Sequence, residues 1–342
     1  MGVWDMQEKR NILVLGAGNF GTCLAHHLAG KGHDVMVWAR EPRVAEGINQ
    51  NHRNPVYLNR VPLNPSLRAC SDLHVQDYDA IVLAIPTQFL RCVLERIDAH
   101  DVQGKQIICA VKGIEGQTQL FPRGIIGSVW GAEAKKRAVV LSGPSFAVEI
   151  AIGQPTAVTA ASEHRSAAQW VQDLFHADHF RVYLGDDPQG LEVAGALKNV
   201  IAIAAGACKG LGFQSNSLAA VITRGLAEIT RLGLRLGAQP MTFHGLGGVG
   251  DLFLTCTSEK SRNFTVGYRL ALGEELPYIL ESSPSIAEGV TTAPAAIALA
   301  RELGVRMPIS QAVFQVLYEG LGVKEALREL VAGPPRDEIE EA

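Results

Sequence analysis

One short glycine run constrains the fold of this chain more than any other feature. Ile12-Leu13-Val14-Leu15 has the character of a buried strand. It leads directly into Gly16-Ala17-Gly18-Asn19-Phe20-Gly21 and then into an apolar stretch of helical length through Ala29. A G-x-G-x-x-G that follows a strand and opens a helix is the fingerprint of a βαβ unit that binds a dinucleotide. Gly16 permits the tight turn, Gly18 lets the backbone approach a pyrophosphate, and Gly21 lets helix and strand pack closely. The helix N-terminus then presents unpaired N–H groups and a partial positive charge to the phosphates. The motif alone is generic; its place in a βαβ unit at the start of the fold gives it weight.

The downstream sequence supports such a unit. Asp34–Trp38, Ala80–Ala84, Gln106–Ala110 and Ala138–Leu141 read as further short strands, each followed by a turn or helix-length segment. Alternation of this kind implies a parallel sheet, which Thr156–Ala161 and Phe180–Tyr183 extend. Beyond Asp187-Pro188 the character changes, with Asp186 or Asp187 as an N-cap and the proline in the first helical turn. Long Ala- and Leu-rich stretches follow at Gln189–Cys208, Ser217–Leu236, Ala293–Leu303 and Ile309–Leu317. The reading is an α/β chain with two domains and a tail. Residues 1–188 form a Rossmann-like, mostly parallel dinucleotide-binding domain. Residues 189–332 form an all-α substrate domain, and 333–342 form a flexible Pro- and Glu-rich tail. A length of 342 residues suits two domains at roughly 150 residues each.

Charge and cysteine content narrow the function classes. Lys and Arg total 31 against 35 Asp and Glu, a formal net charge of −4 without a basic tract, so nucleic acid is not expected as a partner. None of the 6 cysteines forms a C-x-x-C pair, which argues against a disulfide framework and a zinc site and for a reducing, cytoplasmic setting. Met1–Arg10 is polar and lacks the apolar core of a signal peptide. The apolar run Val200–Cys208 falls far short of the ~20 residues that span a bilayer, so no membrane insertion is expected. The 35 glycines exceed the usual share of about 7%, and several cluster where chemistry is expected.

The second strand ends in Val37-Trp38-Ala39-Arg40-Glu41. An acidic residue there binds the ribose 2′-OH of NAD, whereas an arginine accommodates the 2′-phosphate of NADP. Arg40 comes first and favours NADP(H); Glu41 keeps NAD open. Lys112 follows the strand Ile107–Val111, at the carboxyl end where open α/β sheets bind ligands. Ser142-Gly143-Pro144-Ser145-Phe146-Ala147 follows another strand end and faces the same crevice, with Ser145 also placed to cap the next helix. Lys198 lies in the almost continuously apolar stretch Leu191–Ala205. Burial lowers the pKa of a lysine and suits it to proton transfer near neutral pH. Gly245, Gly247, Gly248 and Gly250 crowd before Asp251, which is placed to orient an ammonium such as that of Lys198. Thr255, four residues on, shares its helical face. Arg262 and Asn263 supply donors suited to a phosphate.

These segments closely resemble the bacterial NAD(P)-dependent glycerol-3-phosphate dehydrogenases. The likeness rests on Gly16–Gly21, Lys112-Gly113-Ile114-Glu115, Leu141–Ala147, Lys198-Asn199-Val200, Gly225-Leu226-Ala227-Glu228, Gly247–Thr257, Ser261-Arg262-Asn263 and Glu288-Gly289, in the family's order along nearly the whole chain. The resemblance implies reversible reduction of dihydroxyacetone phosphate to sn-glycerol 3-phosphate, feeding phospholipid synthesis, with NADP or NAD as cofactor and a homodimeric assembly. It implies that Lys198 donates or accepts the proton and that Lys112 contacts both cofactor and substrate. Gly143, Ser145, Asp251, Ser261, Arg262 and Asn263 then line the substrate or cofactor. Asn19, Phe20, Arg40, Ala147, Arg262, Ile286 and Glu288 contact the cofactor. Phe20 departs from the Trp or Tyr of many members but keeps an aromatic ring. A 3-hydroxyacid dehydrogenase of similar build would lack the Arg262-Asn263 pair, and a non-catalytic NADP(H) sensor would not need both lysines.

Overall fold

In a computed structural model describing residues 8–283 and 285–332, the strand-like segments form one eight-stranded sheet. The tail expected over 333–342 lies outside the described residues. The chain runs β1 (Asn11–Leu15), α1 (Asn19–Gly30), β2 (Asp34–Trp38), α2 (Pro42–Asn51), β3 (Arg68–Cys70), β4 (Ala80–Leu83), α3 (Thr87–Leu94) and β5 (Gln106–Cys109). It continues through α4 (Pro122–Trp130), α5 (Ala132–Arg137), β6 (Val139–Ser142), α6 (Ala147–Ala151), β7 (Thr156–Ala161), α7 (Arg165–Phe175) and β8 (Phe180–Gly185). The strand order is β3-β2-β1-β4-β5-β6-β7-β8. β1 to β6 are parallel, β7 is antiparallel to β6, and β8 is parallel to β7. This is the expected mostly parallel sheet. The order reverses between β1 and β4, which places the ligand crevice at their carboxyl ends.

The sequence explains why this sheet is interior. Ile12–Leu15, Ala80–Leu83 and Val139–Ser142 are buried on both faces, as continuous apolar strands require. One face packs beneath α1, α2, α6 and α7, the other beneath α3, α4 and α5. β3 was not expected. It is three residues long and pairs only with Met36–Trp38, too short to leave a periodic signal.

Among the described residues no strand follows β8. The rest comprises α8 (Pro188–Gly210), α9 (Ser215–Arg235), a 3-10 turn (Pro240–His244), a π-turn (Leu246–Gly250), α10 (Asp251–Thr257) and α11 (Arg262–Ala271). Then come α12 (Leu276–Glu281), α13 (Glu288–Glu302), α14 (Pro308–Tyr318) and α15 (Val323–Val331). Asp187, not Asp186, caps α8, its carboxylate accepting from the Gly190 N–H. Among the described residues α8 alone is long and apolar enough to cross a membrane, which the shorter run Val200–Cys208 did not suggest. It is wrapped by α9, α10, α11, α13 and α14 and forms the centre of a protein core. α8 and α11 meet backbone to backbone. A Cβ at Gly206 would lie 1.9 Å from the Phe264 carbonyl oxygen, and one at Gly267 would lie 1.8 Å from that of Ile203. Those glycines bring Asn263 of α11 against Asn199 of α8.

Candidate active site

The glycine turn behaves as its spacing requires. Gly16 has φ +112, and a Cβ there would meet the Ala84 carbonyl oxygen at 2.6 Å. A Cβ at Gly21 would sit 1.9 Å from the Gly16 carbonyl oxygen, so any side chain would drive α1 off β1. Around Gly18 there is open space, with no atom within 4 Å of a Cβ position. Gly18 is the N-cap of α1 and provides no side-chain cap, so the first N–H groups of that helix are free to bind an anion. The turn therefore fits a dinucleotide pyrophosphate. Sequence reasoning missed what holds it. Asn54, fully buried, donates to the Ala17 carbonyl at 2.8 Å and to Thr22 Oγ1 at 2.9 Å. Its own Oδ1 accepts from the Val56 and Tyr57 N–H groups. The only cue in the sequence was an Asn-Pro in a loop.

Beside that turn lies a buried charge cluster. Lys198, on the third turn of α8, donates to Asp251 Oδ1 at 2.5 Å and to Thr255 Oγ1 at 2.9 Å. Lys112, just past β5, donates to the other oxygen, Asp251 Oδ2, at 2.7 Å. Asp251 opens α10 after the glycine-rich π-turn, and its helical spacing to Thr255 puts both on the face toward Lys198. The sequence suggested Asp251 as partner to one lysine; the structure brings two. Burial pulls the Lys198 ammonium down to about 8, opposed by Asp251 and reinforced by Lys112. Burial alone would raise the Asp251 carboxyl, but Lys112 and Lys198 together hold it below the ordinary range. The neighbouring Cys256 thiol is pushed up to about 12 by burial and stays neutral. Within this cluster Lys198 is thus the group whose pKa is brought toward neutral pH. Two lysines against one aspartate leave net positive charge, which suits an anionic substrate.

The remaining candidates sort by what they touch. Lys112 Nζ lies 3.5 Å from the Gly143 carbonyl oxygen and 6.0 Å from the Phe20 ring centre, so β1, β5 and β6 deliver Phe20, Lys112 and Gly143 to one place. Ser145 does not cap a helix. Its Oγ donates back to the Gly143 carbonyl at 2.8 Å, and the α6 N-cap is Phe146, with Ala147 the first helical residue. That hydroxyl closes the turn on itself. Ser261 does cap α11, accepting from the Phe264 N–H. Asn263 is already engaged. Its Oδ1 accepts from the Gly289 N–H at 2.9 Å and its amide donates to Asn199 Oδ1 at 2.9 Å, which leaves one N–H for a ligand. Arg262 is exposed and donates from Nη1 to the Ile286 carbonyl at 2.6 Å, keeping its other donors. Asn19 donates to Ser285 Oγ at 3.2 Å and accepts from the Leu58 N–H at 2.8 Å. Arg40 stands in solvent, paired with Glu41 at 2.6 Å.

Thr87, at the start of α3 beyond β4, was not singled out in the sequence. Its hydroxyl donates to Glu288 Oε2 at 3.1 Å across the crevice. Burial raises Glu288 to about 7, against the pull of Arg262. The available signal was a Pro-Thr pair at a strand end. No group of three His, Cys, Asp or Glu among the described residues is placed to hold a metal ion.

Comparison with known proteins agrees with this geometry. Residues 11–168 match the N-terminal family model of NAD-dependent glycerol-3-phosphate dehydrogenase, and residues 187–328 match its C-terminal model. The chain is similar to the glycerol-3-phosphate dehydrogenase [NAD(P)+] of Enterococcus faecalis, 44% identical over 97% of this chain and 98% of that one. It is 43% identical to the Staphylococcus aureus protein of the same name over 96% of this chain and 99% of the other. The solved glycerol-3-phosphate dehydrogenase of Coxiella burnetii superposes with a TM-score of 0.89 at 33% identity, covering 95% of this chain and 99% of its own.

Proposed function

The chain belongs to the NAD-dependent glycerol-3-phosphate dehydrogenase family, and we propose that it reversibly reduces dihydroxyacetone phosphate to sn-glycerol 3-phosphate with NADPH or NADH. The observation that carries this reading is the buried Lys198–Asp251–Lys112 cluster at the mouth of a dinucleotide crevice. The free N–H groups at the start of α1, with Asn19, Phe20 and Gly21, hold the dinucleotide pyrophosphate and its neighbours. Ala147, Ile286 and Glu288 line the same ligand. Arg40, itself exposed, favours the 2′-phosphate of NADPH, which has only to displace the half-buried Glu41. The bound dinucleotide supplies the hydride that reduces the ketone carbon.

The chain's own residues do the rest. Negative charge develops on the carbonyl oxygen, and Lys198 stabilises it and donates the proton. Asp251 keeps the ammonium aimed and charged, while Lys112 adds positive potential. Arg262, the free N–H of Asn263 and the N-terminus of α11 hold the substrate phosphate and fix its orientation. Gly143, Ser145, Thr255 and Ser261 shape the walls around it. In the oxidation direction a neutral Lys198 accepts the hydroxyl proton. The glycerol phosphate product suits phospholipid synthesis in the cytoplasm, and we place the enzyme there as a homodimer.

The test is consumption of NADPH and NADH with dihydroxyacetone phosphate beside a panel of 2-keto acids. Turnover confined to dihydroxyacetone phosphate is expected. Turnover on a keto acid but not on the phosphate would replace this reading with a hydroxyacid dehydrogenase.

A further inference from the structure

We propose that Asp187, outside the crevice, is a positioning residue that holds α8 in register with the segment leading to Asp251, so that Lys198 and Asp251 meet. This rests on the proton-transfer role proposed for that pair. The Asp187 side chain is 7% exposed and accepts three hydrogen bonds from two separate stretches of chain. Oδ1 takes the Gly190 N–H at 2.8 Å, which is ordinary capping of α8. Oδ2 takes the Gln239 N–H at 2.9 Å and the Thr242 hydroxyl at 2.6 Å, both on the 3-10 turn or at its start. A cap needs only the first bond; the other two fasten a second element to the start of α8.

The fastening continues toward the site. A Cβ at Gly190 would lie 2.2 Å from Asp187 Oδ2, so glycine there leaves room for the carboxylate. Past the 3-10 turn, Gly247 packs where a Cβ would come within 2.3 Å of Leu191 Cδ2. The π-turn is therefore laid on the first turn of α8, and Asp251 follows directly, facing Lys198. Three charge-assisted bonds on one buried carboxylate fix geometry more tightly than three neutral ones. A shift of about 1 Å at a reacting group costs on the order of a hundredfold in rate.

The experiment compares Asp187→Asn, Thr242→Val and, as a control, the exposed Asp178→Ala in the full-length enzyme, with dihydroxyacetone phosphate as substrate. Asp187→Asn keeps the shape but turns an amide N–H toward donors. The groups facing Lys198 are Asp251 and Cys256 of α10 and Lys112 beyond β5. Since Asp251 raises Lys198, loosening their contact moves the alkaline limb of kcat to lower pH. We expect kcat of Asp187→Asn to fall about tenfold or more, with that limb shifted down by about half a unit. The NADPH dissociation constant stays within roughly twofold, because the glycine turn is on the other domain. Thr242→Val, which loses one of the three bonds and reports should Asp187→Asn not fold, shows the same pattern at roughly threefold. Asp178→Ala leaves both readouts unchanged. If Asp187→Asn or Thr242→Val loses thermal stability but keeps kcat and its pH limb, Asp187 is a helix cap and the proposal is overturned. If Lys198→Ala itself retains turnover, the underlying reading of the pair fails instead.

Discussion

Two ion pairs of almost equal length do opposite work in this molecule. Lys198 and Asp251 stand 2.5 Å apart with side chains 10% and 2% exposed. Arg40 and Glu41 stand 2.6 Å apart at 73% and 35%. Distance does not separate them; surroundings do. A surface pair contributes about 0–1 kcal/mol, so a phosphate can take Arg40 from Glu41 at little cost. Removing one member of a buried pair strands the other charge and costs roughly 3–5 kcal/mol. The buried pair can therefore hold an unusual protonation state, and the exposed pair can exchange partners. In the proposed reaction proton chemistry sits at the first and cofactor selection at the second.

Substitutions should separate the two regions in that order of size. Lys198→Ala removes the proposed proton donor, and kcat should fall by about a thousandfold or more, with NADPH affinity within roughly twofold. Near-normal turnover would erase the distinction between the pairs. Arg262→Ala probes the rim between them. The Michaelis constant for dihydroxyacetone phosphate should rise roughly tenfold or more while kcat falls less; an unchanged constant would remove Arg262 from the phosphate. Arg40→Ala should have the smallest effect. NADPH use should weaken several-fold, on the order of 1 kcal/mol, with NADH use nearly unaltered. Equal losses with both cofactors would contradict a 2′-phosphate contact.

The exposed end of this comparison was easier to read in the sequence than the buried end. The glycine turn, the apolar strands and Arg40 at a strand end are local patterns, and local patterns survive in one dimension. A cap at Asp186 or Asp187 was legible for the same reason, and the structure chose Asp187. The buried cluster depends on contacts between distant residues: Lys112 and Asp251 are 139 positions apart, and Lys198 and Asp251 are 53. Burial of Lys198 followed from its apolar neighbours, but the sharing of one carboxylate by two lysines did not. Asn263 looked like a free phosphate donor because nothing near it in sequence shows Asn199 or Gly289 claiming its amide. Glu228 had no visible purpose in the sequence. It reaches from α9 to accept from the Ile309 and Ser310 N–H groups at the start of α14, a cap contributed by another helix. β3 escaped because it exists only by pairing with β2.

The most direct test of the central claim is kcat measured against pH in both directions, from about pH 6.5 to about 9.5, in the wild-type enzyme. Lys198 is held down to about 8 and must be charged to donate a proton and neutral to accept one. Reduction of dihydroxyacetone phosphate should therefore decline as pH rises through that value, and oxidation of sn-glycerol 3-phosphate should increase through it. Profiles that are flat in both directions, or that move the same way, would show that Lys198 does not carry the proton.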